Sequence, residues 1–372
     1  MKTRAAICWE TGAPWSVEEI ELDEPGPSEV LVKIHASGMC HSDEHITTGD
    51  LPFMLPMIGG HEGAGVVQKV GSEVRGLEPG DHVVFSFVPS CGRCVPCATG
   101  HSNLCDMGAK MAAGLQPADD TSRHHAKNGA DLTAMCMIGT FSEYTVANEA
   151  SCVKIEKDVP LELACLLGCG VITGWGSAVY AGGVKPGDVV AVVGVGGIGG
   201  SAIQGARIAG ARHIFAIDPV DNKRDRAAGL GATHTAASMA EAIGLINEVS
   251  WGHMADVVIM AMGVGDGEQL ATALAMCAKG GKVVVTNIHK PTEITATVSL
   301  LDLTLTEKKI VGALFGSANP RADIPKLLHL FRAGKLDLQN MVTRTYPLDD
   351  VNKGYEDMRE GRNIRGVLLM NQ

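Results

Sequence analysis

Residues 188–199 read DVVAVVGVGGIG, an apolar run that passes directly into a glycine-rich loop. The run at 188–193 is continuous, as expected for a strand that is buried on both faces of a parallel sheet. The loop at 194–199 fits G-x-G-x-x-G, and a small-residue helix is predicted from Ile198 to Ala211. A glycine loop between a strand and a helix predicts the phosphate-binding turn of a dinucleotide-binding unit.

The glycines of the loop have separate physical reasons. Gly194 allows the tight turn, Gly196 lets the backbone approach a pyrophosphate, and Gly199 lets the helix and strand pack closely. Gly197 and Ile198 complete the loop at the helix N-terminus, whose unpaired N–H groups favour phosphate. The alternative is a glycine-rich turn that only permits close packing.

An acidic residue lies where such a unit needs one. Asp218 follows a second predicted strand at 213–217 and stands about 20 residues after Gly199. A carboxylate there accepts the ribose hydroxyls of NAD and repels the 2′-phosphate of NADP, so we expect NAD(H). Lys223 is a candidate donor to the same ribose, and the alternative is a solvated surface lysine.

Strands and helices continue to alternate beyond the loop. The further predicted elements are helices at 221–229, 239–249 and 268–278, strands at 256–260 and 282–285, helices near 324–331 and 351–360, and a strand at 366–370. Alternation of this kind predicts a doubly wound parallel sheet and therefore an α/β fold.

The first 90 or so residues differ in texture. Short runs such as 30–34 and 82–85 have strand character, and glycine and proline separate them, which predicts a β-rich, barrel-like domain. Residues 106–140 are polar and poor in β-branched residues, so we predict a long irregular excursion there.

Composition narrows the classes of function. The 372 residues include 31 Lys and Arg against 42 Asp and Glu, and the net charge of −11 argues against nucleic-acid or membrane partners. The sequence contains no apolar run of about 18 residues that would predict a membrane span. Acidic residues follow Met1 too soon for the apolar segment of a signal peptide. We expect a cytoplasmic protein, in which the 11 cysteines serve metal binding or catalysis rather than disulfides.

Four cysteines cluster within one short segment. Cys91, Cys94, Cys97 and Cys105 have the spacing C-x2-C-x2-C-x7-C, which lets one loop wrap a tetrahedral zinc ion. A shell of four thiolates leaves no open position, so this zinc is expected to be structural. An iron–sulfur cluster or free cysteines are the alternatives, although the bacterial ferredoxin motif has another spacing and a proline after its last cysteine.

Three further segments carry metal-ligand side chains. They are GMCHSDEH at 38–45, GHEGAG at 60–65 and LGCG at 167–170. A lone cysteine or histidine of this kind is more often an ordinary core residue. Together, Cys40, His61 and Cys169 offer two sulfurs and one ring nitrogen and would leave a fourth position open, as in catalytic zinc sites.

The motifs and their order resemble those of the zinc-dependent medium-chain alcohol dehydrogenases over essentially the whole chain. The His61 segment, the cysteine lobe, Cys169, the glycine loop with Asp218 and the C-terminal run at 363–365 all take part. The resemblance implies two Zn²⁺ per chain, NAD(H) and a homo-oligomer, either a dimer or a tetramer. Its implied domains are a GroES-like catalytic domain, residues 1–170 and 315–372, and an NAD-binding Rossmann domain, residues 171–314.

The resemblance also implies roles around the catalytic zinc. Cys40, His61 and Cys169 would hold the metal, and Glu62 would be a possible transient ligand. Asp43 would orient His61 through its second ring nitrogen.

A proton path and a cofactor site are implied in the same way. Ser42 would take the alcohol proton, and His45 would pass it to solvent through the cofactor ribose. Further implied contacts are His41 and Arg365 near the pyrophosphate, Thr173 and Ile198 against the nicotinamide, and Phe87 in the substrate pocket. For Phe87 an ordinary core position is an equally good interpretation.

Departures from relatives bear on the substrate. The segment between His45 and His61 is short and apolar, and residues 106–109, directly after Cys105, include no arginine, so a glutathione adduct is not expected. We expect an uncharged, hydrophobic primary alcohol or aldehyde. The excursion at 106–140 differs from the ordinary classes of the family. The chain as a whole most resembles the bacterial nicotinoprotein branch, which keeps its NAD bound and needs a second substrate or a redox partner to reoxidise it.

Two other classes share part of the pattern. A zinc-free quinone reductase of the same fold lacks the metal ligands that are present here. A non-enzymatic protein with the zinc lobe has no need of Ser42 and His45.

Overall fold

The computed structural model describes residues 1–370, which form two compact units. Unit 1 comprises Met1–Cys169, Asn319–Arg332 and the described residues from Leu338 onward. Unit 2 comprises Gly170–Ala318 and Ala333–Asp337.

The strands in chain order are β1 (Lys2–Cys8), β2 (Ser16–Leu22), β3 (Glu29–Gly38), β4 (Met57–Ile58), β5 (Gly63–Val70), β6 (His82–Phe85), β7 (His124–Ala126), β8 (Asp131–Ala134), β9 (Tyr144–Asn148), β10 (Cys152–Ile155), β11 (Val189–Val193), β12 (His213–Ile217), β13 (His234–Ala236), β14 (Ala255–Met260), β15 (Cys277–Val285), β16 (Lys309–Gly312), β17 (Val342–Pro347) and β18 (Arg365–Leu369).

The α-helices are α1 (His41–Thr48), α2 (Val95–Ala98), α3 (Leu161–Ala164), α4 (Gly170–Gly176), α5 (Gly197–Ala209), α6 (Asp221–Leu230), α7 (Met239–Val249), α8 (Gly267–Met276), α9 (Leu300–Leu305), α10 (Pro320–Arg332) and α11 (Val351–Arg359). Short 3₁₀ turns connect several of them, and a π-helical turn at Ser177–Gly182 follows α4.

Unit 1 contains a closed barrel, in the order β1-β2-β7-β8-β4, and a seven-stranded sheet. The sheet runs β10-β6-β5-β3-β18-β17, and β9 also pairs with β3. Alternate residues of β3, namely Val30, Val32 and Ile34, are buried in one core cluster, because successive side chains of a strand point to opposite faces. The predicted β-rich domain is confirmed.

Unit 2 is built on a six-stranded sheet in the order β13-β12-β11-β14-β15-β16. All of its neighbouring strands are parallel. Every residue of β11 is buried, as the continuous apolar run predicts for a central strand with both faces covered. The doubly wound parallel sheet predicted from the sequence is therefore confirmed.

The prediction of an irregular excursion over 106–140 is wrong in its second half. There β7 and β8 form an antiparallel hairpin, and they close the barrel by pairing with β2 and β4. Arg123, just before β7, donates two hydrogen bonds of 2.8 Å to the buried carboxylate of Glu29. The strands have only three and four residues and few β-branched side chains, so their pairing partners rather than local propensity decide the structure.

The predicted domain boundaries need two adjustments. A Cβ on Gly176 would lie 2.4 Å from the Gly316 carbonyl oxygen, so the chain around 316 packs within unit 2 rather than opening the C-terminal part of unit 1 at 315. Residues 333–337 also belong to unit 2, because Gln204 on α5 donates to the Asp337 carbonyl at 3.0 Å. Such contacts join residues far apart in sequence and leave no local signal.

Among residues 1–370, no single helix is long and apolar enough to cross a membrane. Two consecutive helical segments, Leu161–Gly168 and Gly170–Gly182, reach that length and apolar composition only when they are taken together, and the chain bends between them.

The buried ring of His124 is expected to make the protein less stable at acid pH. The ring is 1% exposed and lies 3.2 Å from the Thr145 hydroxyl, and burial lowers its pKa to about 4. The unfolded chain takes up this proton near pH 6.5, so between pH 6.5 and 4 stability falls as the pH falls. Between pH 7 and pH 4.5 the free energy of unfolding should therefore fall by about 2 kcal/mol less in His124→Gln than in the wild type. Urea unfolding at both pH values measures this difference.

The neighbouring His125 should affect the pH dependence of stability in the opposite direction. Its ring nitrogens lie 2.9 Å from Asp23 and 2.8 Å from Asp131, and despite partial burial these carboxylates raise its pKa. Its contribution is therefore present below pH 6.5 and lost as the pH rises through the folded-state pKa. An unchanged acid dependence in His124→Gln would contradict the prediction.

Candidate functional site

Four metal-ligand side chains from separate segments of unit 1 meet at one buried point. The ligand atoms of Cys40, His61, Glu62 and Cys169 all lie within 4.8 Å of one another. Cys40 immediately precedes α1, His61 and Glu62 lie between β4 and β5, and Cys169 follows the 3₁₀ turn at Cys165–Gly168. The sequence predicted this set, and the fold brings its members together.

Two sulfurs, an imidazole and a carboxylate at this separation fit a zinc ion. A hydrogen bond from Cys169 lowers the pKa of Cys40 well below its ordinary value, and the same contact raises the pKa of Cys169. At least one thiolate is therefore favoured at the point where a cation would be held.

His61 is oriented by a buried carboxylate. Its Nδ1 lies 3.1 Å from Asp43 Oδ1, and the same oxygen accepts the Gly60 N–H at 2.8 Å. A proton on Nδ1 leaves the lone pair of Nε2 available to a metal, which is the usual function of an aspartate behind a ligand histidine. The positions agree with the role predicted for Asp43.

Glu62 forms a buried ion pair with Arg365. Burial raises the pKa of Glu62 to about 8, and the guanidinium acts in the opposite direction. The second oxygen of Glu62, Oε1, has no hydrogen-bond partner in the described chain, so it remains available to a cation. Sequence reasoning assigned Arg365 to the phosphates and gave no indication of this ion pair, because the two residues are 303 positions apart.

The predicted proton path lies along α1. Ser42 Oγ is 3.6 Å from Cys40 Sγ, and His45 lies one turn further along the same helix face. His45 is buried, and its Nδ1 is 3.2 Å from Asp50 Oδ2. Sequence reasoning missed Asp50, for which the only signal is its position just after the helix-ending Gly49. His41 is exposed at the start of the helix.

Phe87 lies against the metal set. Its ring is 5.8 Å from the His61 ring, nearly perpendicular to it, and the side chain is only partly buried. Phe53, Leu55 and Met111 are other partly buried apolar side chains that pack against the same core cluster. The two interpretations of Phe87, pocket wall and core residue, both remain compatible with this position.

The cysteine lobe also has the geometry of a metal site. The ligand atoms of Cys91, Cys94, Cys97 and Cys105 lie within 4.8 Å of one another. Their sulfur separations of 4.0 Å for Cys91–Cys97 and 3.8 Å for Cys94–Cys105 are far beyond a disulfide bond. A tetrahedron with Zn–S bonds of about 2.3 Å has edges of about 3.8 Å, so the cluster fits a single zinc ion.

The environment of the lobe favours the thiolate at Cys91 and opposes it at Cys105, where burial raises the pKa to about 12. Partial burial opposes ionisation, but the backbone N–H groups of Arg93 and Cys94 lower the pKa of Cys91 to about 6. The Cys94 amide lies 3.4 Å from that sulfur.

In unit 2 the glycine loop has the geometry that its sequence predicts. Gly194 has φ of +89°, which disfavours any side chain, and a Cβ on Gly199 would lie 1.8 Å from the Gly194 carbonyl oxygen. A Cβ on Gly196 would meet no atom within 4 Å, so space is left in front of the loop. Gly196 caps α5 without a side-chain hydrogen bond, which leaves N–H groups of the first turn available to a phosphate. Gly197 and Ile198 begin the helix, and Ile198 is partly buried.

Asp218 stiffens this loop from the end of β12. Its carboxylate is buried and accepts the N–H groups of Val195 at 2.8 Å and Val220 at 2.9 Å. Lys223 Nζ lies 4.0 Å from it. Thr173 is buried in the same unit, and its Oγ1 has no hydrogen-bond partner among residues 1–370. The loop and this carboxylate together fit a dinucleotide.

Comparisons with known proteins agree with both sites. Residues 26–157 match the family described as alcohol dehydrogenase GroES-like domain, and residues 197–333 match the family described as zinc-binding dehydrogenase. Over 369 residues the chain is 50% identical to the NDMA-dependent alcohol dehydrogenase of Amycolatopsis methanolica, with 99% of each chain covered.

Solved structures give the same result. An alcohol dehydrogenase zinc-binding domain protein from Burkholderia ambifaria is 32% identical, with a TM-score of 0.93 over 100% of both chains. The benzyl alcohol dehydrogenase of Acinetobacter calcoaceticus is 30% identical, with a TM-score of 0.91 over 100% of this chain and 99% of that one.

Proposed function

Because the chain belongs to the zinc-dependent medium-chain alcohol dehydrogenase family, we propose that it interconverts a primary alcohol and an aldehyde with NAD as hydride carrier. The observation that carries the proposal is the buried set of Cys40, His61 and Cys169, with Glu62 as a replaceable fourth neighbour. Zinc held there supplies positive charge that makes an alcohol hydroxyl more acidic.

The side chains on α1 handle the proton in this proposal. Ser42 accepts the hydroxyl proton of the alcohol, and His45 receives it from there. Asp50 holds Nδ1 of His45, and the buried Nε2, which has no hydrogen-bond partner within the described residues, faces the other way to exchange the proton. An imidazole suits this step because its ordinary pKa lies near neutrality.

The chain's groups for the cofactor lie in unit 2. The amides around Gly196 and Gly197 bind the pyrophosphate, and Asp218 accepts hydroxyls of the adenosine ribose, with Lys223 beside it. Thr173 and Ile198 pack against the nicotinamide. Since a carboxylate repels a 2′-phosphate, NAD is preferred to NADP.

The zinc content tests the proposal directly. We expect two zinc ions per chain, one at Cys40, His61 and Cys169 and one in the lobe. Elemental analysis of the purified protein measures the content, and NADH formation from a medium-chain primary alcohol measures the activity. Alcohol oxidation by a preparation without zinc would contradict the proposal.

The substrate in this proposal is an uncharged apolar alcohol. Phe87 next to His61, with partly buried Phe53, Leu55 and Met111 in the same cluster, supports an apolar binding surface. The solved relative named benzyl alcohol dehydrogenase agrees with such a substrate.

A second proposal is that the protein retains its NAD, as a nicotinoprotein does. The relative that is 50% identical and named NDMA-dependent supports it. We expect about one NAD(H) per chain to remain after extensive dialysis, measured by absorbance and mass spectrometry of the denatured protein. Reoxidation would then use a second substrate or a redox partner. Loss of the dinucleotide on dialysis would contradict retention and leave the zinc proposal intact.

We also propose a cytoplasmic homo-oligomer that acts on small molecules and binds neither nucleic acid nor membrane. An exposed sheet edge supports self-association, because β16 is the outer strand of its sheet and its Ile310 is exposed. Leu300, Leu301 and Leu305 of α9 are exposed as well. Exposed apolar side chains of this kind support a protein–protein interface, and light scattering of the purified protein distinguishes monomer, dimer and tetramer.

A further inference from the structure

The side chain of Asn287 is buried without hydrogen bonds. It is 8% exposed, and neither its Oδ1 nor its Nδ2 has a partner among residues 1–370. Its backbone is fixed, since its N–H donates to the Met260 carbonyl at 3.1 Å. Burying both a donor and an acceptor unpaired is costly, and native proteins leave few such groups without a reason.

Neighbouring residues lie close to this amide without pairing with it. A Cβ on Gly265 would lie 2.1 Å from Asn287 Nδ2 and 2.8 Å from His289 Nε2, so the amide occupies space that the glycine leaves open. The Gly265 N–H donates to the Ile288 carbonyl at 3.1 Å, which ties the two loops together. Backbone hydrogen bonds thus fix the segment that carries the amide.

The sheet order places Asn287 along the path of a dinucleotide. The glycine loop follows β11, Asp218 follows β12, and Asn287 follows β15, all at the carboxyl edge of one parallel sheet. Ligands of such sheets bind along that edge. With the pyrophosphate at the loop and the adenosine ribose at Asp218, the other half of the ligand extends in the opposite direction, over β14 and β15.

The edge is continuous in that direction. A Cβ on Gly194 would lie 2.6 Å from the backbone nitrogen of Met262, so the chain after β14 packs directly against the glycine loop. Asn287 lies one strand further along.

We propose that Asn287 binds the nicotinamide riboside half of NAD through its paired donor and acceptor. This inference rests on the proposed function, because it requires NAD as the ligand. The Asn287 amide has an unpaired donor and an unpaired acceptor. The carboxamide of nicotinamide and the ribose diol each carry a donor and an acceptor, so either group can pair with it.

An equilibrium competition tests the assignment and separates the two sources. Wild-type protein and Asn287→Leu are first stripped of any retained NAD(H) and are then incubated to equilibrium with an equimolar mixture of NAD⁺, ADP-ribose and ADP. The bound ligands are released by denaturation and counted by mass spectrometry. ADP lacks the nicotinamide riboside half and serves as the internal reference.

We expect the NAD⁺ to ADP ratio to fall about tenfold in Asn287→Leu, the loss typical of a buried hydrogen bond. An equal fall for ADP-ribose assigns the contact to the ribose, and a fall for NAD⁺ alone assigns it to the carboxamide. Thr286→Val is the matched control, because the Thr286 hydroxyl already donates to the Ala313 carbonyl at 3.3 Å. This variant should leave both ratios unchanged.

Unchanged ratios in Asn287→Leu would overturn the assignment, and so would a loss of ADP equal to that of NAD⁺. Absence of all three ligands from the wild-type protein would instead contradict the proposed NAD dependence. The ligand-free variant should unfold at no lower temperature than the wild type, since an apolar side chain removes two unpaired polar groups.

Discussion

His61→Ala is expected to lower kcat/KM for alcohol oxidation about a thousandfold or more and to reduce the zinc content from two ions per chain to one. The substitution removes the only nitrogen ligand of the buried set and leaves two sulfurs and a carboxylate around a poorly held cation. A bound metal contributes several kcal/mol of charge stabilisation to such reactions, and each 1.36 kcal/mol is a factor of ten in rate. Steady-state kinetics and elemental analysis of the same preparation measure both effects.

Cys136→Ala is the matched control for this variant. Burial raises the pKa of the Cys136 thiol to about 12, with smaller effects from the charges of His61 and Asp43, which places it close to the set. It is not a member of the metal-ligand group, so both activity and zinc content should stay near wild type. The zinc mechanism fails if His61→Ala keeps wild-type turnover while zinc is lost.

Gly196→Ala and Gly199→Ala are expected to damage the dinucleotide loop in different ways. A methyl group on Gly196 meets no protein atom within 4 Å, and the residue has φ of −88° that alanine also adopts. This variant should therefore fold normally and lose NAD affinity by roughly 100-fold, because the methyl group occupies the space of the pyrophosphate.

Gly199→Ala should instead destabilise the folded protein, with or without ligand. Its methyl group would lie 1.8 Å from the Gly194 carbonyl oxygen, so β11 and α5 must separate. Thermal unfolding and calorimetric NAD titration of both variants distinguish the two effects. Gly229→Ala on α6 is the control, since its methyl group meets no atom within 4 Å and alanine favours a helix. Wild-type NAD affinity in Gly196→Ala would contradict the assignment of the loop.

Long elements of unit 2 were predictable from the sequence because their signals are local. Residues 213–217 and 239–249 are predicted with the bounds that β12 and α7 have in the structure. A buried central strand and a packed helix each have a characteristic hydrophobic pattern in residues that are consecutive in the sequence. The hairpin β7–β8 carries no such signal, because short polar strands acquire their structure from β2 and β4.

The metal-ligand groups illustrate the same division. The spacing of the cysteine lobe predicts its cluster directly, since one loop carries all four sulfurs. For Cys40, His61 and Cys169, the residue types and the order of their motifs suggested one set, and the tertiary structure brings the three segments within ligand distance. Neither spacing nor motif indicated that Arg365 pairs with Glu62 or that Asp50 holds His45.

The sequence by itself determined the α/β class, the glycine loop with its acidic partner, the cysteine lobe and the family. These features depend on residues that are near one another in the chain or on motifs that occur in a fixed order. Only the tertiary structure decided the ion pair behind Glu62, the barrel hairpin and the unpaired amide of Asn287. The physical reason is that burial and hydrogen-bond satisfaction depend on which distant segments meet, and a linear pattern does not contain that information.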